Sequence, residues 1–171
     1  MSARTTILDE AIEAWEDARS GVIDEVENIP PDQFDFRPVP AVRSVSELVL
    51  HTMEVSLMMA GELTREDTNL RREPWPRLLA RYSKPIDGIT GKRQLLAALR
   101  STLRDGVKAF RAAGELHMMQ LIARFDGEKG TRLAWLHHGI SQEMYHRGQL
   151  AIYQRLMGIK PALTKRIEGS D

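Results

Sequence analysis

Apolar residues recur at steps of three and four through four long stretches of this chain, the period of amphipathic helices. The first, from about Thr6 to Asn28, places Leu8, Ala11, Trp15, Ala18, Val22 and Val26 on one side. Pro30 and Pro31 end it, because proline cannot donate to the helical ladder and restrains the residue before it. The second is introduced by Ser44 and Glu47, the spacing of a capping box. It is predicted over 45–65, with Leu48, His51, Val55, Met58 and Glu62 on one face and Glu54 and Met59 on its flanks. The third covers about 92–113, with Leu96, Leu99, Leu103 and Phe110 expected inward and Gly114 placed to close its end. The fourth, 131–157, starts at a Thr131 cap.

The segments between these helices are long. Residues 29–44 form a proline-punctuated connection with Phe34 and Phe36 expected to pack beneath it. Residues 67–90 form a crossover interrupted by Pro74, Pro76 and Pro85, with room for one short helix near Arg77–Tyr82. Residues 115–130 are expected to hold a short extended piece and a glycine-rich turn, and the tail beyond Gly158 to dock or fray. Four helices with such connections predict an all-α fold, a four-helix bundle in a single domain over 1–171. Long crossovers allow successive helices to run parallel, so the topology need not alternate.

Composition narrows the chemistry. Lys and Arg (24) balance Asp and Glu (24), which removes any bulk electrostatic case for nucleic acid or an anionic membrane. The arginines of the crossover alternate with acids and read as a solvated face. Cysteine is absent, so disulfides, thiolate metal sites and a cysteine nucleophile are excluded. No run approaches the roughly 18–20 apolar residues of a membrane span. The N-terminal stretch turns acidic at once, unlike a signal peptide, and a cytoplasmic location is the expectation.

The fourth helix carries the most informative anomaly. Gln142 and His146 lie one turn apart in a stripe otherwise made of Trp135, Gly139, Leu150, Tyr153 and Met157. The second helix likewise offers one imidazole, His51, in an apolar stripe. Inward side chains from facing bundle helices can hold a metal, and imidazole is its commonest protein ligand. On spacing alone each histidine is more simply a satisfied packing residue. Glu143 stands three residues before His146 and Glu54 three after His51, so carboxylates are available as ligands. His138, eight residues before His146, is about 12 Å away along a helix and so cannot share its ion. It is a candidate proton carrier or a packing residue, and His117 has no companion and reads as packing or surface.

The run EMYHRGQLAIYQRLMG, preceded by TRLAWLHHGISQ, resembles the closing helix of the DinB/YfiT-like superfamily of metal-dependent bundle proteins, where the motif is His-x-x-x-His-Arg-Gly-Gln. IPPDQFDFRPVPAVRSVSELVLH resembles a second signature of that group, a proline-rich stretch leading into a helix with a single histidine. The resemblance spans essentially the whole chain. It implies a metal triad at His51, position 142 and His146, a zinc- or nickel-like divalent ion, and a homodimer. In some members it also implies thiol-cosubstrate transferase or isomerase activity. Position 142 is Gln here, where the group usually has His. The expected function is therefore a metal-dependent transferase or hydrolase acting on a small molecule, with Glu143 or His138 as proton carrier. The alternative is a non-catalytic dimeric bundle with an incomplete metal site, stress-associated or ligand-binding. Leu133, Ile140, Met144, Gly148 and Ala151, opposite the polar pair, offer a face for the dimer.

Overall fold

The computed structural model describes residues 5–169. The outer ends of the domain expected over 1–171, residues 1–4 and 170–171, lie outside the described residues. Four long helices dominate: α1 (Ile7–Asn28), α2 (Val45–Leu63), α4 (Lys92–Ala113) and α6 (Arg132–Leu156). A short helix α3 (Trp75–Tyr82) lies within the crossover and a single turn α5 (Glu115–Met118) follows α4. Strands β1 (Leu121–Ala123) and β2 (Lys129–Thr131) pair antiparallel, Ile122 opposite Gly130. Helix α7 (Ala162–Glu168) closes the described chain.

The caps follow from local chemistry. Ser44 and Glu47 form the expected capping box at α2, and Thr6 with Asp9 forms another at α1. Each box satisfies two backbone N–H groups that a helix start leaves unpaired. Gly114, with φ of 79°, ends α4 in the left-handed region that glycine enters without strain. The third helix is rotated slightly from its expected face. Leu95, Ala98, Leu99, Thr102, Val107 and Phe110 are buried, whereas Leu96 and Leu103 are only partly so. A step of three or four defines an apolar stripe but leaves its centre open by about one residue.

Two apolar clusters give the helix directions. One joins the start of α1 (Leu8, Ile12, Trp15), the end of α2 (Met58, Leu63), the end of α4 (Phe110) and the start of α6 (Leu136). The other joins the end of α1 (Val22, Val26), the start of α2 (Val45, Val49), the start of α4 (Leu95, Leu99) and the end of α6 (Leu150, Tyr153). Helices α1 and α6 therefore run one way and α2 and α4 the other. The crossover containing α3 is what lets α2 and α4 run parallel. Helices α1 and α2 each pack on both α4 and α6, and so face each other across the bundle diagonal.

The segment 115–130 and the tail are both docked. His117 Nε2 is 3.0 Å from the Leu63 carbonyl, and Arg132 donates to the same oxygen and to Thr68, so both serve to finish α2. Glu25, buried on α1, accepts from the backbone N–H groups of Ala162 and Leu163 and from Gln154. A carboxylate at the first N–H groups of a helix suits its dipole, so α7 is tied to α1. No helix among the described residues is long and apolar enough to cross a membrane.

Candidate metal centre

Between the two apolar clusters lies a polar layer. Arg19, completely buried on α1, donates through Nε and Nη2 to Glu143 of α6, both at 2.7 Å. Its remaining N–H groups reach the Leu99 carbonyl, Thr102 and Ser56 at 2.8–3.0 Å. The Trp15 indole N–H also donates to Glu143. Every guanidinium donor is used, the condition under which a buried charge is tolerated. Both oxygens of Glu143 are thus committed, and this expected proton carrier is a bundle-core ion-pair partner instead. The helical period places Arg19 on the apolar stripe, four residues after Trp15 and three before Val22, but the charge it pairs with is a glutamate 124 positions away.

One turn beyond Glu143, α6 presents His146, 4% exposed. Helix α2 presents half-buried His51 opposite it, the ring centroids 5.2 Å apart and nearly perpendicular at 75°. Each imidazole is oriented from its Nδ1 side. His51 Nδ1 meets Glu54 Oε2 at 3.2 Å, and His146 Nδ1 meets Gln149 Oε1 at 2.8 Å. Both partners are acceptor oxygens, so each Nδ1 donates and each neutral ring keeps its lone pair on Nε2. Sequence reasoning missed Gln149 as a site residue; its spacing of three from His146 was the available signal. Gln142, half-buried, lies one turn before His146 on the same stripe.

His146 Nε2 is buried and has no hydrogen-bond partner. Leaving such an acceptor empty costs about 1–3 kcal/mol, and a cation held there would satisfy it. A ligating imidazole whose other nitrogen donates to a carboxylate or amide oxygen is the usual outer-shell arrangement of a metal site. The donor set therefore fits a divalent ion at two nitrogens. It stops there, because among the described residues no three His, Cys, Asp or Glu side chains converge as a ligand set.

Burial holds both imidazoles below the ordinary value of 6.5, with the hydrogen bonds to Glu54 and Gln149 opposing it and the Arg43 charge reinforcing it. Both are neutral at pH 7, the form that ligates metal. Because the folded values lie below the unfolded ones, their contribution to stability is complete above 6.5 and is lost as pH falls through the lowered values. Metal-free protein is expected to show a lower urea midpoint at about pH 5.5 than at about pH 7.5. His51→Gln/His146→Gln should reduce that difference; an unchanged difference would assign it to other groups.

His138 is exposed and meets Trp135 edge to face, centroids 4.5 Å apart, at a separate hollow of about 430 Å³ with Arg124 and Asp126. It does not join the imidazole pair. Arg147 lies against α1 at Gly21, where any Cβ would strike the guanidinium, and so helps seat α6.

The model of the DinB family matches residues 1–168. The chain belongs to the DinB family. A DinB-like protein from Bacillus subtilis superposes with a TM-score of 0.65 at 21% identity, over 87% of this chain and 92% of that one. YfiT from Bacillus subtilis, a probable metal-dependent hydrolase with an unusual four-helix bundle topology, gives 0.65 at 19% identity over 94% and 95%. The mycothiol-dependent maleylpyruvate isomerase gives 0.66 at 14% identity, over 85% of this chain but only 61% of the isomerase. At these identities the likenesses define the fold, and the fold expected from the sequence is the one found. No curated protein matches the chain in sequence.

Proposed function

We propose that this DinB-family member holds a divalent ion of the zinc or nickel kind through Nε2 of His51 and His146, with the Gln142 amide oxygen as third donor. On this reading it acts as a metal-dependent transferase or hydrolase on a small molecule. The unpartnered, buried Nε2 of His146 beside a second, similarly oriented imidazole carries the proposal. A bound ion would supply Lewis acidity and lower the pKa of a water or thiol cosubstrate. The chain's own contribution is orientation: Glu54 and Gln149 hold the two rings, and the Arg19–Glu143 pair sets the rotation of α6. With Glu143 engaged by Arg19 and Glu54 by His51, the exposed imidazole of His138, about two turns before His146 on α6, is the other proton-carrier candidate. Tag-free protein loaded with zinc, nickel or manganese should retain about one ion per chain, and His51→Ala/His146→Ala should retain none. Substoichiometric metal in the parent protein after loading would sink the proposal.

That no three His, Cys, Asp or Glu side chains converge as a ligand set among the described residues supports a second reading, a non-catalytic bundle whose site is one ligand short. Either reading is compatible with a homodimer through the far side of α6. Leu133 is buried and Ile140 partly buried in the chain's own core, but Met144 and Ile152 are 46% and 55% exposed and a Cβ at Gly148 would meet nothing. Sedimentation of parent protein and Met144→Glu/Ile152→Glu tests this; a parent that remains monomeric at high concentration excludes it.

A further inference from the structure

Beside the imidazole pair, the connection between α1 and α2 folds over the start of α2 and forms with α6 an open cavity of about 570 Å³. That volume lies within the range of small-molecule sites, which run to about 300–1,000 Å³. Arg37, Arg43 and Glu47 line one wall, and Tyr145, His146 and Tyr153 line the other. The charges of the first wall do not cancel. Arg37 donates to Glu47 at 2.9 Å, and Glu47 also accepts from the Ser44 backbone N–H at 2.8 Å, so this pair is closed on itself. Arg43 is exposed and has no ion-pair or side-chain hydrogen-bond partner among the described residues. One positive charge is left over.

The backbone that carries Arg43 is nevertheless fixed. The Tyr153 hydroxyl donates to the Arg43 carbonyl at 3.0 Å, and Arg37 Nη1 donates to the Val42 carbonyl at 3.1 Å. The Val45 N–H donates to the Phe36 carbonyl at 3.0 Å. The guanidinium thus extends from a braced turn, which reduces the ordering cost of binding. The cavity floor ends on His146, whose Nε2 is the unpartnered buried acceptor.

We propose that this cavity binds a small organic oxyanion, its carboxylate or phosphate paired with the Arg43 guanidinium and its other end against His146. A planar guanidinium matches an oxyanion through two parallel hydrogen bonds. The idea rests on the metal-site reading only for what happens to the bound molecule, not for the binding itself. It is tested by NMR titration of metal-free protein with succinate, methyl phosphate and the uncharged succinamide. At least one anion should bind and succinamide should not. Arg43→Gln should weaken the anion about tenfold or more, as expected for loss of a charged hydrogen-bond pair. Arg43→Lys should recover part of that loss, and Arg77→Gln on α3 should change nothing. The relative strength of succinate and methyl phosphate identifies which head group the site prefers. Equal binding of succinamide, no binding of either anion at millimolar concentration, or indifference to Arg43→Gln would each overturn the assignment. Anion binding that depends on Arg43 in a protein that fails to load metal would remove the metal reading and leave this one. Metal loading without anion binding would do the reverse.

Discussion

Glu143→Leu is expected to destabilise the protein by about 3–5 kcal/mol, the usual cost of stranding one member of a buried ion pair. Arg19 is completely buried and its Nε and Nη2 both point at Glu143. Without the carboxylate the guanidinium keeps Ser56, Thr102 and the Leu99 carbonyl, but these neutral acceptors cannot balance its charge. Arg19→Met/Glu143→Leu removes both charges together and should recover most of the loss, since apolar replacement of a whole buried pair is often neutral or better. What remains should be of the order of 1–3 kcal/mol, from the Trp15 indole and the Ser56 and Thr102 hydroxyls left behind. Urea unfolding of the parent, the two single variants and the double variant gives the coupling directly. A Glu143→Leu loss below about 1 kcal/mol would mean that water reaches the pair and that the layer is not dry.

Gln142→His is expected to raise affinity for zinc or nickel by about 100-fold or more, because an imidazole is a stronger donor to such ions than a neutral amide. The substitution lies one turn before His146 on the face that His51 approaches, so it adds a third imidazole without moving the other two. Competition with a chromophoric chelator measures the change in each ion. His51→Ala in the same background should remove most of the gain. If Gln142→His binds metal no better than the parent, the space between α2 and α6 is not a metal site awaiting one ligand. The non-catalytic reading would then be the better one. An increase would show that His51 and His146 already stand in place for a third ligand at position 142.

Glu143 and Gln149 flank His146 at the same separation but play different parts. Glu143 lies three residues before His146, which made it a candidate ligand or proton carrier, yet its carboxylate is taken up by Arg19 and Trp15. Gln149 lies three residues after His146, and it is the group that holds the imidazole. On α6 a separation of three places two side chains within reach of each other but leaves open which one turns toward the neighbouring helix. The neighbour decides: α1 brings a cation to Glu143, while Gln149 turns back to His146.

The periodicity of the chain alone determined the four long helices, the boundaries of α1, α2, α4 and α6 to within about two residues, and the stripes that carry His51 and His146. The capping box at Ser44 and the prolines of the connections did the same for the starts and stops. These are local properties, set by backbone hydrogen bonding and by the 3.6-residue turn. Only the tertiary structure decided that Arg19 pairs with Glu143, that α2 and α4 run parallel, that Glu25 anchors α7, and that Arg43, without a side-chain partner among the described residues, stands beside His146. Each depends on groups far apart in sequence, as with Glu25 and Ala162, 137 positions apart. A charged side chain on an amphipathic helix reads as solvated until the opposite charge that buries it has been placed by the fold.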